Sequence, residues 1–407
     1  MKKILQINVA SNFGSTGKIV KGIEKEIRNQ GWESFVAYGR DSGQPDSEDI
    51  RIGNKIGNIF HVLYTRFTDK HGLCSKKKAT TDFLVKLDTI QPDIIHLHNI
   101  HGYYINYELL FTYIKKRNIP VVWTLHDCWS FTGHCVHFEY INCNKWKTEC
   151  EKCPQINNYP KSFADNSKKN FLLKKVTFNM SEKLILVPVS QWLSDLVEKS
   201  FLKKNKSVVI YNGIDLQKFK IIDDFQDTLK KYNIQDCKYA LAVASVWDFR
   251  KGLEEVYQLA ELLSEDYKLV IVGLTQEQIK KLPKKIIGLQ RTDNVEELVA
   301  LYNGAQVFVN PTLEDTFPTT NLEAMACGTP VVTYKTGGSP ESIDHKTGEV
   351  VEKKDIYSLL RATEKYLKNN KDASRQNCRS KAEELFNRDI NFKEYINLYK
   401  QLFEKKI

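Results

Sequence analysis

Short apolar runs alternate with amphipathic segments along the 407 residues of the chain. The runs are rich in β-branched residues, as expected of strands buried in a parallel sheet. The segments between them place apolar residues at helical spacing, as with Ile19, Ile23 and Ile27. The predicted strands are Lys2–Val9, Ser34–Tyr38, Asp93–His98, Pro120–Asp127, Leu184–Val189, Lys238–Val246, Lys268–Gly273, Ile286–Leu289, Ala305–Asn310 and Val331–Tyr334. This alternation predicts an α/β protein, and at roughly 100–200 residues per domain the length predicts two domains.

The stretch Ala305–Tyr334 combines this pattern with charged residues. An apolar run ending at Asn310 precedes an acidic loop. A helix is predicted to begin at Pro318, because proline needs no amide partner in a first helical turn. Gly328 and Pro330 end that helix before the next strand. Free amides at the N-terminus of such a helix favour an anion such as a phosphate.

Two carboxylates lie eight positions apart in this stretch, Asp315 before the predicted helix and Glu323 within it. From Glu323 to Val331 the chain reads EAMACGTPV. This stretch resembles the retaining GT-B glycosyltransferases of the family 4 type. That family has a first Glu eight positions before the second. Here Asp315 takes its place and Glu314 stands just before it, so either residue is a candidate for the first acid.

The resemblance implies a GT-B fold, in which two doubly wound Rossmann-like domains face an interdomain cleft. It covers nearly the whole chain apart from a cysteine-rich insert near residues 128–153. The domains expected are residues 1–205 on the acceptor side, residues 206–385 for the nucleotide-sugar, and a C-terminal helix in 386–407 that packs back on the first domain. The implied reaction moves a sugar to an acceptor hydroxyl with retention of configuration, and catalysis requires no cofactor.

The resemblance also assigns residues to the donor site. Lys251, at the turn after strand Lys238–Val246, is placed to neutralise a diphosphate. The family usually has an Arg five residues earlier, where this chain has Val246, and Arg250 is the neighbouring cation expected to supply that charge. The predicted catalytic residues are His126, Lys251, Asp315 and Glu323. The predicted donor contacts are Gly14, Gly17, Arg250, Lys251, Asp315, Phe317, Pro318, Thr319, Thr320, Glu323, Gly337 and Gly338.

The glycines after the first strand allow a ligand to approach the backbone closely. The phosphate-loop motif of nucleotide hydrolases does not fit this loop, because Asn12 stands where its first Gly belongs and Ile19 where its hydroxyl belongs. The dinucleotide fingerprint is also missing. Gly14 and Gly17 are therefore assigned by the resemblance, which places this loop at the cleft. His126 is assigned in the same way, because the family has a His after the fourth strand that faces the donor sugar.

Five of the nine cysteines fall between Cys128 and Cys153. The spacing Cys150-x-x-Cys153 lets two thiolates meet one metal ion, and Cys135 and Cys143 complete a tetrahedral set. His134 and His137 are spare candidates. The sequence therefore predicts a structural zinc site, with free thiols or an iron–sulfur cluster as alternatives.

A net charge of +10 indicates an anionic partner, and a solvated lysine-rich surface is the alternative. No nucleic-acid-binding module accompanies the charge, so no nucleic acid is expected. Residues 51–86 mix lysines and arginines with apolar residues at helical spacing, and a second basic patch holds Lys168, Lys169, Lys174 and Lys175. The first composition suits a helix on an anionic membrane, and a domain helix with a basic outer face is the alternative. No apolar run reaches a membrane span and no signal peptide is evident, so we expect a cytoplasmic protein, with peripheral contact to the inner face of the cell membrane as an open alternative.

The function expected is transfer from a nucleotide-sugar, UDP-sugar favoured over GDP-sugar, to a hydroxyl of a glycan or lipid-linked acceptor in surface polysaccharide biosynthesis. Two other functions stay open. A sugar-nucleotide epimerase of GT-B fold would convert the donor without transfer. A non-catalytic subunit that binds nucleotide-sugar or polysaccharide would explain the missing arginine at Val246.

Overall fold

The computed structural model describes residues 1–40, 45–46, 48–73, 77–369 and 371–404. The chain forms two compact units. The first comprises Met1–Ile210 and Phe392–Ile407, and the second comprises Tyr211–Asn391. Both divisions lie a few residues beyond the predicted boundaries after residues 205 and 385.

The first unit is built on a parallel sheet. Its seven strands in the described residues are β1 (Lys3–Asn8), β2 (Glu33–Tyr38), β3 (Ile50–Arg51), β4 (Ile94–Leu97), β5 (Val121–Leu125), β6 (Leu184–Pro188) and β7 (Lys206–Ser207). Their order across the sheet is β3-β2-β1-β4-β5-β6-β7, and every pairing is parallel. The order in which successive strands are added to the sheet reverses at β1, because β2 and β3 lie on one side of it and β4 to β7 on the other. At this reversal Ile4 of β1 pairs with Ile94 of β4.

Helices cover this sheet because the chain must cross back to the same edge of the sheet before each new parallel strand begins, and a helix usually makes that crossing. They are α1 (Gly14–Asn29), α2 (Lys55–Thr68), α3 (Lys78–Ile90), α4 (Tyr107–Arg117), α5 (Ser167–Thr177) and α6 (Gln191–Glu198), with 3₁₀ turns at Trp129–Phe131 and Lys145–Lys147. Side-chain oxygens at helix starts accept hydrogen bonds from backbone amides that have no partner within the helix. Asn54 accepts from the Gly57 amide, and Asn106 accepts from the Leu109 amide.

The second unit repeats the design. In the described residues its strands are β8 (Lys238–Val243), β9 (Tyr267–Val272), β10 (Ile286–Leu289), β11 (Val307–Asn310), β12 (Val331–Tyr334) and β13 (Gly348–Val351), all parallel, in the order β10-β9-β8-β11-β12-β13. Its helices are α7 (Gln226–Lys231), α8 (Leu253–Leu262), α9 (Gln276–Ile279), α10 (Val295–Gly304), α11 (Thr319–Ala326), α12 (Ile356–Lys368) and α13 (Asp372–Leu385), with 3₁₀ turns at Phe249–Lys251 and Ser339–Ser342.

The last helix, α14 (Arg388–Phe403), begins in the second unit and continues in the first. Beyond Asn391 its apolar side chains, among them Phe392, lie in a core cluster with Ile19 and Ile23 of α1. The ring of Phe392 lies against Gly22, where a Cβ atom would stand 1.9 Å from it. The helix is therefore part of the core of the first unit.

The predicted α/β fold class is confirmed, with corrections at element ends. Strand β11 starts at Val307 rather than at Ala305. The Ala305 amide still donates a hydrogen bond to the Leu301 carbonyl, so Ala305 caps the end of α10. Helix α11 starts at Thr319, and Pro318 precedes it in extended conformation. The short strands β3 and β13 were not predicted. No helix in the described part of the chain combines the length and the hydrophobicity that crossing a membrane requires.

Candidate active site

In the second unit, two loops meet at the carboxyl ends of the adjacent strands β8 and β11. The carbonyl of Arg250, in the turn after β8, accepts hydrogen bonds from the Leu313 amide at 2.7 Å and the Thr312 hydroxyl at 3.0 Å. Gly252 has a φ of +74°, and a Cβ atom there would lie 2.1 Å from the carbonyl of Pro311. Glycine at this position therefore lets the two loops pack together. Strand order reverses between β8 and β11, where open α/β sheets bind their ligands.

Lys251 and Asp315 form an ion pair across these two loops. The Lys251 ammonium lies 2.6 Å from Asp315 Oδ2, and the two side chains are 35% and 15% exposed. Asp315 Oδ1 also accepts the amide of Phe317. Gly337, in the loop after β12, has a φ of +54°, and a Cβ atom there would lie 1.6 Å from the Asp315 carbonyl oxygen. Lys251 and Asp315 are 64 positions apart and were predicted separately. The ion pair holds them together in one cluster.

The neighbouring cation, Arg250, is engaged elsewhere. Its guanidinium donates to Asp248 Oδ2 at 2.8 Å within the same turn. Val246, which stands where the family has an arginine, is 69% exposed. Arg250 was expected to supply the charge of the missing arginine. The Asp248 carboxylate, two residues away, competes with a bound diphosphate for its guanidinium. Of the two candidates for the first acid, Asp315 is the one paired with Lys251, whereas Glu314 is only 3% exposed.

Helix α11 carries the second acid. Glu323 Oε2 accepts a hydrogen bond from the Tyr302 hydroxyl at 2.9 Å, a partner that the sequence did not suggest because Tyr302 belongs to the preceding helix α10. Thr319 and Thr320, in the first turn of α11, are partly exposed, and so is Gly337, whereas Pro318 and Gly338 are buried. The first-turn amides of α11 thus lie beside the loop that holds Asp315.

Phe317 places its side chain among aromatic rings. Its side chain is 4% exposed and packs against the rings of Tyr211 and Phe386, with ring centroids 5.1 Å and 5.7 Å away. The side chain therefore belongs to the core of the second unit, and only its backbone lies in the loop beside Asp315.

In the first unit, Gly14 and Gly17 lie at the start of α1. Gly14 is exposed with a φ of +67° and has open space where a Cβ atom would stand. Gly17 is buried, and a Cβ atom there would lie 3.1 Å from the backbone of Asn12. Gly14 is thus accessible to a ligand, whereas Gly17 serves the packing of helix on loop.

His126, after β5, lines a cavity of about 190 Å³ at the carboxyl ends of β4 and β5. Its Nε2 atom lies 3.2 Å from Nδ1 of His98, whose other ring nitrogen lies 3.3 Å from the amide oxygen of Gln6. Burial lowers the pKa of His126 to about 4. The imidazole is therefore neutral near pH 7 and acts there as a hydrogen-bonding group.

An unpredicted pair lines the same cavity. His101 Nε2 lies 2.8 Å from Asp127 Oδ2, and Asp127 Oδ1 accepts the amide of Trp129. Burial alone would raise the pKa of Asp127. The interactions of the carboxylate, chiefly with His101, outweigh that effect and lower the pKa to about 2. Sequence reasoning singled out His126 and missed His101, because the pairing joins the loops after two different strands.

Among the described residues, one group of three carboxylates brings its oxygens within 4.8 Å of one another, namely Glu24, Asp46 and Asp49. Lys21 forms ion pairs with all three at 2.7–2.8 Å. The ammonium therefore already fills the place that a metal ion would take. The four cysteines proposed for zinc, Cys135, Cys143, Cys150 and Cys153, line a separate cavity.

Two doubly wound parallel-sheet units in one chain are the architecture of the GT-B fold, which is common among glycosyltransferases. Residues 17–218 match the family model described as Glycosyltransferase Family 4, and residues 224–385 match the model described as Glycosyl transferases group 1. The chain belongs to this glycosyltransferase family.

Known relatives agree with this assignment. The chain is 24% identical over 375 residues to the putative colanic acid biosynthesis glycosyl transferase WcaC of Escherichia coli, covering 88% of this chain and 89% of that protein. Sucrose-phosphate synthase from Thermosynechococcus elongatus superposes with a TM-score of 0.73 at 19% identity over the full length of both chains. Anabaena HepE, solved with UDP-glucose, superposes with a TM-score of 0.67 at 14% identity, covering 98% of this chain and 100% of that one.

Proposed function

We propose that this glycosyltransferase moves a sugar from a UDP-sugar to a hydroxyl of a glycan or lipid-linked acceptor, with retention of configuration, in surface polysaccharide biosynthesis. The observation that carries the proposal is the Lys251–Asp315 pair at the strand reversal of the second sheet. The pathway assignment draws on the relative WcaC, whose name places it in colanic acid biosynthesis.

The chemical task is to stabilise the diphosphate that leaves as its bond to the anomeric carbon breaks. Asp315 holds the Lys251 ammonium in place before the donor binds, so little reorganisation is needed when negative charge develops. The first-turn amides of α11 add partial positive charge on the same side. These groups supply electrostatic stabilisation from the protein itself.

The carboxylates have positioning roles in this proposal. Asp315 accepts hydrogen bonds from hydroxyls of the donor sugar, and Glu323, oriented by the Tyr302 hydroxyl, accepts them from the ribose. We also propose that neutral His126 is a hydrogen-bonding group for a sugar hydroxyl. We assign no general base, because the departing phosphate itself is able to take the acceptor proton.

The preference for UDP draws on HepE, a GT-B protein of similar fold whose structure holds UDP-glucose. Calorimetric comparison of UDP, GDP and ADP therefore decides this part of the proposal.

The acceptor part of the proposal rests on α2. This helix exposes an apolar face, in which Ile56, Ile59 and Phe67 are each more than 60% exposed. Phe163, 71% exposed, lies beside Phe67 with ring centroids 5.8 Å apart. Arg66 on the same helix and Lys70 just after it supply positive charge. We propose that this face rests on the anionic inner surface of the cell membrane, where a lipid-linked acceptor is available.

Retention is tested by nuclear magnetic resonance of the reaction product. The purified enzyme is incubated with UDP-sugars and an extract of polyprenol-linked acceptors. The expected product has the anomeric configuration of the donor. A product with inverted configuration would overturn the retaining assignment, and conversion of the UDP-sugar without any transfer would favour the epimerase alternative.

A further inference from the structure

A long connection between β5 and α5 lacks regular structure of its own. From residue 126 to residue 166 it contains only the two short 3₁₀ turns, yet several of its side chains are buried. Trp129, Phe131 and Trp146 are each at most 2% exposed. Loops of this length are uncommon in compact domains unless something other than a helix or strand holds them.

Four thiols from this connection converge. Cys135, Cys143, Cys150 and Cys153 line a single cavity of about 330 Å³, together with apolar side chains such as Phe138 and Trp146. The thiols of Cys135 and Cys153 are hydrogen-bonded to each other. Residues up to 18 positions apart in sequence therefore border the same cavity.

The backbone around these cysteines is held in position. The Gly133 amide donates to Cys150 Sγ at 3.3 Å, and a Cβ atom at Gly133 would lie 2.8 Å from the Cys150 side chain. The Cys153 amide donates to Asp165 Oδ2 at 2.6 Å. The indole of Trp146 donates to the Cys143 carbonyl at 3.0 Å. Backbone amides directed at sulfur stabilise a thiolate ligand.

A buried cation lies nearby. Lys174 of α5 donates to the carbonyls of Trp129 and Thr132 at 2.7 Å and 3.0 Å, and its ammonium lies 3.5 Å from the centroid of the Trp129 ring. It is within electrostatic range of Cys150 and Cys135. Four thiolates around a divalent ion leave two negative charges, and a buried ammonium offsets one of them. This placement also corrects the prediction that Lys174 belongs to a basic surface patch.

We propose that Cys135, Cys143, Cys150 and Cys153 bind one zinc ion that fixes this connection. In the described structure no three of these sulfurs lie within 4.8 Å of one another. Tetrahedral zinc at about 2.3 Å from each sulfur requires separations of about 3.8 Å. Zinc binding by all four thiolates therefore requires some of these cysteine side chains to rotate.

The site is tested by metal analysis of protein that carries no histidine tag, produced with zinc and iron in the medium and purified without chelators. We expect one zinc per chain, released when an organomercurial caps the thiols. Zinc below a tenth of an equivalent in the wild-type protein, or iron in its place, would overturn the proposal. This result needs no variant and is independent of transferase activity.

Variants identify the ligands. Cys143→Ser and Cys150→Ser are expected to lose most of the zinc, whereas Cys237→Ser, a partly buried cysteine of the second unit, is the matched control and keeps it. Cobalt-substituted wild-type protein should show the absorption of a tetrahedral thiolate complex. Full zinc content in Cys143→Ser and in Cys150→Ser would contradict this ligand set.

Discussion

The Lys251–Asp315 contact is the residue-scale feature on which the proposed chemistry depends. Each residue follows a different strand, and neither has a local reason to meet the other. They meet because β8 and β11 are adjacent and Gly252 and Gly337 allow the loops to approach. An ammonium held beside the place where charge develops contributes more than one free in water.

Replacing Lys251 by alanine tests that role. We expect the Lys251→Ala variant to lose about 10²–10³-fold in kcat/KM, the range found when one preorganised electrostatic group is removed. Lys335→Ala, which removes an exposed lysine paired with Glu352 in the same unit, is the matched control. Steady-state transfer assays compare the two variants, and equal activities would remove Lys251 from the site.

Gly337 gives a second test at this scale. Gly337→Ala places a methyl group against the Asp315 carbonyl at a positive φ and should displace that loop, with at least tenfold weaker UDP binding. Gly31→Ala has the same strain at a φ of +71° but open space around the methyl group. It should cost about 1 kcal/mol of stability without changing UDP affinity. Calorimetry and thermal melts separate the two effects, and unchanged affinity in Gly337→Ala would count against the loop arrangement.

At the scale of elements, the hydrophobic pattern predicted most strands and helices correctly because buried parallel strands have a strong signal. It missed β3 and β13, which are short and lie at sheet edges. The cation assignments show why side-chain roles were harder to predict. Arg250 forms an ion pair with the nearby Asp248, and Lys174 is buried and donates to the Trp129 carbonyl. Protein partners, whether near or far in sequence, compete with solvent for each charged side chain. The pairing of His101 with Asp127 had no signal in the sequence pattern.

The apolar face of α2 is testable as an element. The double variant Ile59→Ser, Phe67→Ser should bind vesicles containing anionic phospholipid at least tenfold more weakly than wild type, since each buried apolar side chain contributes about 1.5–3 kcal/mol. Val246→Ser, which changes an equally exposed apolar residue in the second unit, is the control. Vesicle co-sedimentation measures both. Wild-type protein that stays in the supernatant would contradict the membrane assignment.

Across the whole molecule, buried histidines link stability to pH. Burial lowers the pKa of His61 and His126 to about 4 and that of His96 to about 3. Because the unfolded chain takes up these protons near pH 6.5, the stability they contribute is complete above that pH and falls as pH drops toward 4. The loss is about 1.4 kcal/mol per pH unit for each histidine.

Urea denaturation at pH 7.5 and pH 5 measures this dependence. The free energy of unfolding should fall at the lower pH, and His96→Gln should reduce the fall. His345→Gln, at an exposed position in the second unit, should leave it unchanged. A stability that is independent of pH between these values would show that the buried histidines are protonated in the folded protein.

We propose that this glycosyltransferase binds its nucleotide-sugar donor in the second unit. The most direct measurement is a calorimetric titration of wild-type protein with UDP, GDP and ADP. We predict a single site with micromolar affinity for UDP and much weaker binding of the other two. Binding of GDP or ADP alone would change the donor class, and binding of none of the three would contradict a functional donor site at Lys251 and Asp315.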